Sequence, residues 1–285
     1  MRYVELHPGI KSSVLGFGCA PMLGPVGAPT SRRAVAVALE EGITHFDVAR
    51  SYGYGEAERL LGDCVRGCRH NIVIASKFGI VATGASRVLR PLKPIVRLVK
   101  QQYRQTSALS RKLVSSRNIG LPCFPSNIFL KSVKLDAIAL KRSVETSLRE
   151  LKTDYLDYIF LHEPSGPITQ VDCLFECSLR LKQEGKIRAW GLAFMQKQAD
   201  WHINYLPRFD ILQMDYSPEI TSHLDLVQRR RELPIVFFSP FRNSSVTQTN
   251  FSEILFRVHA DFPRSVLLIS MFREEHIRKN ARALF

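Results

Sequence analysis

Residues 44–62 read THFDVARSYGYGEAERLLG, and the rest of the chain repeats their plan. A short β-prone run (44–46) ends at Asp47, a glycine-rich loop carries Tyr52, and from Glu56 the apolar residues recur at helical spacing. This is one strand–loop–helix unit. Outward from it, apolar runs at 14–16, 72–75, 155–161, 187–191, 211–214, 235–238 and 266–269 read as further strands. Helical patterns at 31–41, 56–65, 137–151, 171–184, 222–231 and 274–283 fall between and after them. A short hairpin over 3–6 and the residues near Lys11 comes first. Thr30 or Ser31 reads as the cap of the first helix and Gly42 as the glycine that ends it. Eight strands, each followed by a helix or by room for one, predict a (β/α)₈ TIM barrel occupying 1–285 as one domain. A doubly wound parallel sheet is the competing arrangement.

The alternation breaks after Phe78. From Gly79 to Leu135 there are 57 residues, where a strand-to-helix connection ordinarily takes about 2–6. This insertion after strand three (80–135) would emerge on the face where strand C-termini converge, which is where barrels keep their active sites. Its charge is one-sided: between Cys64 and Leu135 there is no Asp or Glu, and the 14 Lys and Arg found there equal the whole formal excess of +14. A basic segment on a neutral body is a narrower signal than a uniformly basic, nucleic-acid-binding chain, and nucleic acid is not expected as a partner.

Composition excludes other classes. Apolar residues make up 45% of the chain, enough for one large core. No run approaches the roughly 18 uncharged apolar residues of a membrane span. Glu5, His7 and Lys11 interrupt the place where a secretion signal needs its apolar stretch, so a cytoplasmic location is expected. Cys19 and Cys123 stand alone; Cys64/Cys68 and Cys173/Cys177 sit four apart in helix-like flanks, which reads as buried thiols and no metal site.

Four reactive side chains stand at or just after strand ends: Asp47 after strand two, Tyr52 five residues on, Lys77 in VIASKFG and His162 in DYLDYIFLHEP. Taken singly, each has an ordinary reading as a helix cap, a turn aromatic, a lysine reaching solvent or a histidine satisfying a backbone group. Four at equivalent positions of a parallel barrel converge on one mouth, and that coincidence is harder to set aside.

With these residues the chain resembles the aldo-keto reductases. The resemblance runs through GFG (16–18), FDVARSYGYGEAERLLG (46–62), IVIASKFG, SLRELKTDYLDYIFLHEP (147–164), KIRAWGLA (186–193), FDILQMDYS (209–217), FFSPF (237–241) and EEHIRKNARAL, in the family's order and outside the basic insertion. It implies a (β/α)₈ barrel, reduction of an aldehyde or ketone with NADPH, with NAD as the alternative, and a catalytic tetrad of Asp47, Tyr52, Lys77 and His162. The chemistry is consistent. Hydride delivery to a carbonyl carbon builds negative charge on oxygen, which needs a proton or a close donor. A phenol is a weak acid unless a cation assists it; Lys77 would be that cation, Asp47 would hold it, His162 would orient the carbonyl, and Tyr52 would be the acid.

For the cofactor, the resemblance assigns Tyr216 to stack on the nicotinamide and Gln213 to bind its carboxamide. It places Ser239, Pro240 and Phe241 along the pyrophosphate, and His276 and Asn280 near the adenosine. The sequence also departs from the family. Where a Ser-Asn pair usually holds the carboxamide there are Ala193 and Phe194; after strand eight come Ser270 and Met271. Arg273, Arg278 and Lys279 are the candidates for a 2′-phosphate.

Within the insertion, 94–114 reads as a basic amphipathic helix, with Arg97, Lys100, Arg104 and Arg111 on one face. A packed lid, a lid that attracts an anionic substrate such as a sugar- or carrier-linked carbonyl compound, and peripheral contact with an anionic membrane compete to explain it. Two functions follow: an NAD(P)H-dependent reductase of a small carbonyl substrate, or a slow, cofactor-binding regulatory or scaffold subunit, like family members that attach to membrane channels.

Overall fold

The computed structural model describes residues 1–84, 129–216, 234–240 and 251–283. A hairpin of β1 (Tyr3–His7) and β2 (Ile10–Ser13) leads into β3 (Leu15–Gly18), helix α1 (Ala28–Glu40), β4 (His45–Asp47), α2 (Ala57–Val65) and β5 (Val73–Phe78). An antiparallel stem follows, β6 (Ile80–Ala82) against β7 (Leu130–Ser132). Then come α3 (Ala137–Leu151), β8 (Leu156–His162), α4 (Val171–Gln183), β9 (Ile187–Phe194), the short α5 (Ala199–His202) and β10 (Ile211–Asp215). The chain continues with β11 (Ile235–Phe238), α6 (Phe251–Asp261), β12 (Ser265–Ile269) and α7 (Glu274–Arg282).

Strands β3, β4, β5, β8, β9, β10, β11 and β12 pair in parallel in that order, and β12 pairs back onto β3. The barrel is closed, so the doubly wound alternative is out. All eight expected strands are present. The expected helices at 222–231 and 94–114, together with Cys123 and Phe241, lie outside the described residues.

Side-chain parity builds the core in two layers, because successive residues of a strand face opposite sides. Val73 and Ala75, Tyr158 and Phe160, Ala189 and Ala193, Ile211, Val236, Val266 and Leu268 fill the barrel interior. The intervening residues, among them Ile74, Ile159, Leu161, Trp190, Leu192, Leu212 and Leu267, pack outward into the helix layer. Full burial of one such aliphatic or aromatic side chain contributes about 1.5–3 kcal/mol. The hairpin plugs the interior from below through Leu6 and Ile10, both fully buried. Asp157 latches that end: it accepts from Arg69 Nη2 and the Ile74 amide, each at 2.9 Å, and from Arg188 Nη1 at 3.0 Å, while Arg188 Nη2 donates to the Gly9 carbonyl at 2.8 Å.

Two local expectations are corrected. Helix α1 starts ahead of Thr30 and Ser31, with Gly27 at the cap position and a proline in the first turn; Ser31 Oγ donates back to the Gly27 carbonyl at 2.8 Å instead of capping. At the other end Gly42 (φ 78°) closes the helix as expected, its amide bonding to Leu39 O and the Ile43 amide to Ala38 O. Cys173 is exposed, not buried, while Cys19 is buried and Cys64, Cys68 and Cys177 are partly so; none of these five is in a disulfide. No described helix is long and apolar enough to cross a membrane.

The stem settles how the long insertion joins the barrel. The Val133 amide bonds to Gly79 O at 2.8 Å and the Thr83 amide to Phe129 O at 3.0 Å, so the chain leaves and returns side by side next to the C-terminal end of β5.

Candidate active site

Parity also delivers the polar residues. On β5 the inward positions run Val73, Ala75, Lys77; on β8 Tyr158, Phe160, His162; on β4 His45, Asp47; on β10 Ile211, Gln213. Each series is apolar or neutral low in the barrel and reactive at its C-terminal end. Asp47, Lys77, His162 and Gln213 therefore form the top of the interior, all nearly or fully buried.

Their contacts are direct. The Lys77 ammonium donates to Asp47 Oδ1, and also to the Val48 carbonyl at 3.2 Å. Gln213 Nε2 donates to the second Asp47 oxygen at 2.8 Å. Tyr52 comes from a 3₁₀ turn, Tyr52–Tyr54, between β4 and α2. Lys77 Nζ lies 4.9 Å from its ring centroid, and its ring meets His162 edge-on with centroids 6.0 Å apart. The four residues of the expected tetrad are thus brought together, with Gln213 as a fifth member attached to Asp47.

Burial and charge set the protonation states. Burial pushes the Tyr52 phenol up to about 12, with the Lys77 ammonium pulling the other way and Asp47 adding to the rise. The expected help from Lys77 is real, but in this pocket it is outweighed by desolvation. Burial alone would depress Lys77; the Asp47 carboxylate and the Tyr52 phenol together reverse that, so Lys77 stays charged beyond its ordinary range. His162 is pushed down to about 3, by burial first and by the Lys77 charge second, and is a neutral imidazole at physiological pH.

Two buried polar atoms here have no partner among the described residues: Gln213 Oε1 and His162 Nδ1. Buried acceptors are seldom left unpaired. Gln213 spends its amide N–H on Asp47, so its oxygen is free for the N–H of a carboxamide, which fits a nicotinamide. Tyr216, just past β10, is nearly buried and packs edge-on against Phe237 at 5.4 Å. Ser239 follows β11 with a positive φ of 52°, and Glu163 follows β8 with φ 41°. Such backbone strain in non-glycine residues at strand ends marks the mouth. Pro240 is buried beside Ser239.

A cavity of about 490 Å³ opens between the N-terminal ends of α1 and α7, lined by Pro21, Val26, Gly27, Thr30, Ser270, Phe272, Arg273 and His276 among others. His276 therefore lies on the wall of this cavity. Asn280, one turn along, donates to Met271 Sδ at 3.2 Å. Arg278 is paired with Glu40 at the end of α1 at 2.9 Å and with Glu41 just beyond it at 2.5 Å. Arg273 remains on the cavity wall.

The Ala193–Phe194 departure is explained by packing. Ala193 faces inward between His162 and Gln213 in the strand register, and Phe194 faces out, edge-on to His202 at 5.5 Å. Neither side chain offers a hydrogen bond to a ligand.

One feature was missed from sequence. Behind β5, Glu58 accepts from Arg50 Nη1 at 2.9 Å and from Ser76 Oγ at 2.7 Å. The signal was available: Glu58 shares the apolar stripe of α2 with Leu61 and Val65.

The model of the aldo/keto reductase family matches residues 14–261. Aldo-keto reductase YhdN of Bacillus subtilis is 27% identical over 208 residues, covering 70% of this chain and 49% of that protein. The chain spans about half the length of several curated relatives it matches. Among solved structures, an aldo-keto reductase from Klebsiella pneumoniae in complex with NADPH superposes with TM-score 0.65 at 20% identity, covering 99% of this chain and 89% of that one. The holo form of an aldo-keto reductase from Bacillus halodurans gives TM-score 0.66 at 20% identity, covering 100% and 91%. At these identities the structural likeness concerns the fold.

Proposed function

The chain belongs to the aldo/keto reductase family, and from that premise we propose that it is an NAD(P)H-dependent carbonyl reductase in which Tyr52 is the proton donor. The observation that carries this is the buried chain Gln213–Asp47–Lys77, with Tyr52 beside the Lys77 ammonium. A nicotinamide, when bound, would supply the hydride for the carbonyl carbon. The protein's part is the other half of the reduction. A phenol held near 12 is fully protonated at neutral pH, so Tyr52 has its proton ready. As negative charge grows on the carbonyl oxygen, Tyr52 passes the proton from Oη to it. The product is an alcohol, and the residual phenolate is stabilised by Lys77 until solvent reprotonates it. Neutral His162 donates an N–H that fixes the carbonyl's direction.

Gln213 Oε1 would accept from the nicotinamide carboxamide, Tyr216 would cover the ring, and Ser239, Pro240 and Phe241 would line the pyrophosphate. His276 and Asn280 would sit by the adenosine, with Arg273 opposite a 2′-phosphate. NADP is accordingly favoured over NAD. For the substrate, the acid-free basic window that leaves and returns through the β6–β7 stem supports an anionic carbonyl compound, sugar- or carrier-linked.

One observation favours a second reading, a slow cofactor-binding regulatory or scaffold subunit, membrane-associated through 94–114. Ala193 and Phe194 leave Gln213 to hold the carboxamide without their help. NADPH oxidation with a panel of neutral and anionic aldehydes separates the two. The reductase reading expects turnover that drops about 10²-fold or more in Tyr52→Phe. Equal, negligible rates in both proteins, with NADPH binding intact, would establish the subunit reading instead.

A further inference from the structure

We propose that Glu58 is a positioning residue that sets the Tyr52 phenol against the Lys77 ammonium from behind the barrel wall; this rests on the reductase reading above. Glu58 lies on α2 and is only 1% exposed, an uncommon place for a carboxylate. Its two oxygens are divided between two elements. Oε2 takes Arg50 Nη1 at 2.9 Å, from the loop two residues before Tyr52; Oε1 takes Ser76 Oγ at 2.7 Å, from the strand position just before Lys77. Ser76 faces the helix layer while Lys77 faces the mouth, so one carboxylate grips the strand and the loop on the side away from the chemistry.

The loop needs such a grip. Gly53, Tyr54 and Gly55 are successively left-handed, with φ of 59°, 60° and 86°. Tyr54 in that region carries a backbone cost that its neighbours must offset. Gly53 is wedged as well, since a Cβ there would stand 2.7 Å from the Met22 carbonyl and 2.9 Å from Leu23 Cβ. On the inner side the loop is tied to β5 by Lys77 Nζ to Val48 O at 3.2 Å and by the Val48 amide to Ala75 O at 2.9 Å. The Arg50–Glu58–Ser76 bridge is the matching tie on the outer side. Together the two ties define where Tyr52 stands relative to Lys77. Glu58 itself touches neither substrate nor phenol, so its effect is transmitted through the position of Tyr52.

The test is a double-mutant cycle of Glu58→Gln with Tyr52→Phe, reading kcat, KM and the NADPH Kd by fluorescence, at a temperature where thermal melts show every variant folded. Misplacing a reacting group by about 1 Å costs up to about 10²-fold in rate. Glu58→Gln is therefore expected to lower kcat by about 10- to 100-fold with KM and NADPH Kd within about twofold. In the Tyr52→Phe background the same change should matter less than about twofold, because its target is gone. Arg50→Lys, which keeps a cation opposite Glu58, should restore most of the rate lost in Arg50→Ala. Where Glu58→Gln does not fold, Ser76→Ala breaks one tie without stranding a charge and should show the same non-additivity at smaller amplitude. An equal loss in both backgrounds, or a loss carried by KM or Kd, overturns the proposal. Should the wild type show no Tyr52-dependent turnover, the reductase reading fails separately. The positioning role then stands or falls on a crystal structure of Glu58→Gln. A Lys77 Nζ moved beyond 4.9 Å from the Tyr52 ring supports it, and unchanged geometry overturns it.

Discussion

Replacing Lys77 by methionine should destabilise the fold and stop the chemistry, and the two effects can be separated. Lys77 and Asp47 are 3% and 4% exposed, so removing the ammonium leaves a carboxylate buried in the barrel. Breaking a buried pair in this way costs about 3–5 kcal/mol. Gln213 Nε2 still donates to Asp47 at 2.8 Å, which places the expectation near the lower end, about 3 kcal/mol. For a domain of this size that corresponds to a Tm lower by roughly 6 °C. Deleting both charges in Lys77→Met/Asp47→Asn removes the stranded ion, so calorimetry should find the double variant closer to wild type than Lys77→Met. The wild-type contribution also has a pH sign. Because the folded value of Lys77 is raised, its stabilisation is complete below the unfolded value of about 10.5 and is lost as pH climbs through the folded one. Activity should fall about 10²-fold or more in both variants, since neither offers Tyr52 a cation. A double variant whose destabilisation equals the sum of the single ones would show that the two groups do not sense each other, and the electrostatic account of the site would be wrong.

Acid should weaken the protein well before the carboxylates titrate. His45 and His162 are pushed from about 6.5 down to about 3, by burial first and then by Lys77, so their contribution is present above pH 6.5 and lost as pH falls toward 3. At about 1.4 kcal/mol per pH unit for each ring, the two together cost about 4 kcal/mol by pH 5; urea midpoints that coincide at pH 7 and pH 5 would contradict this. Gln213→Met removes both the free Oε1 and the donor to Asp47, and should weaken NADPH binding by about tenfold in a fluorescence titration. Gly62→Ala would drive a Cβ to 2.2 Å from the Leu151 carbonyl, forcing α2 and α3 apart at a cost of about 1–3 kcal/mol or more, read as a lower denaturation midpoint.

The barrel was legible because strand and helix patterns are local. Apolar runs such as 155–161 and 187–191 announce themselves within a few residues, and their order along the chain is also their order around the barrel. Asp47, Lys77 and His162 could likewise be picked out, since each ends an apolar run. Contact between charges has no period. Gln213 meets Asp47 across 166 residues, and Arg278 meets Glu40 across 238; both pairings exist only because β12 closes onto β3 and lays α7 against α1. The upward direction of the Tyr52 phenol also awaited the fold, because only packing shows that desolvation outweighs the neighbouring ammonium. Sequence pattern determined which residues line each strand and helix. Barrel closure decided which of their polar atoms meet, which are left unpaired, and how strongly water is excluded from them.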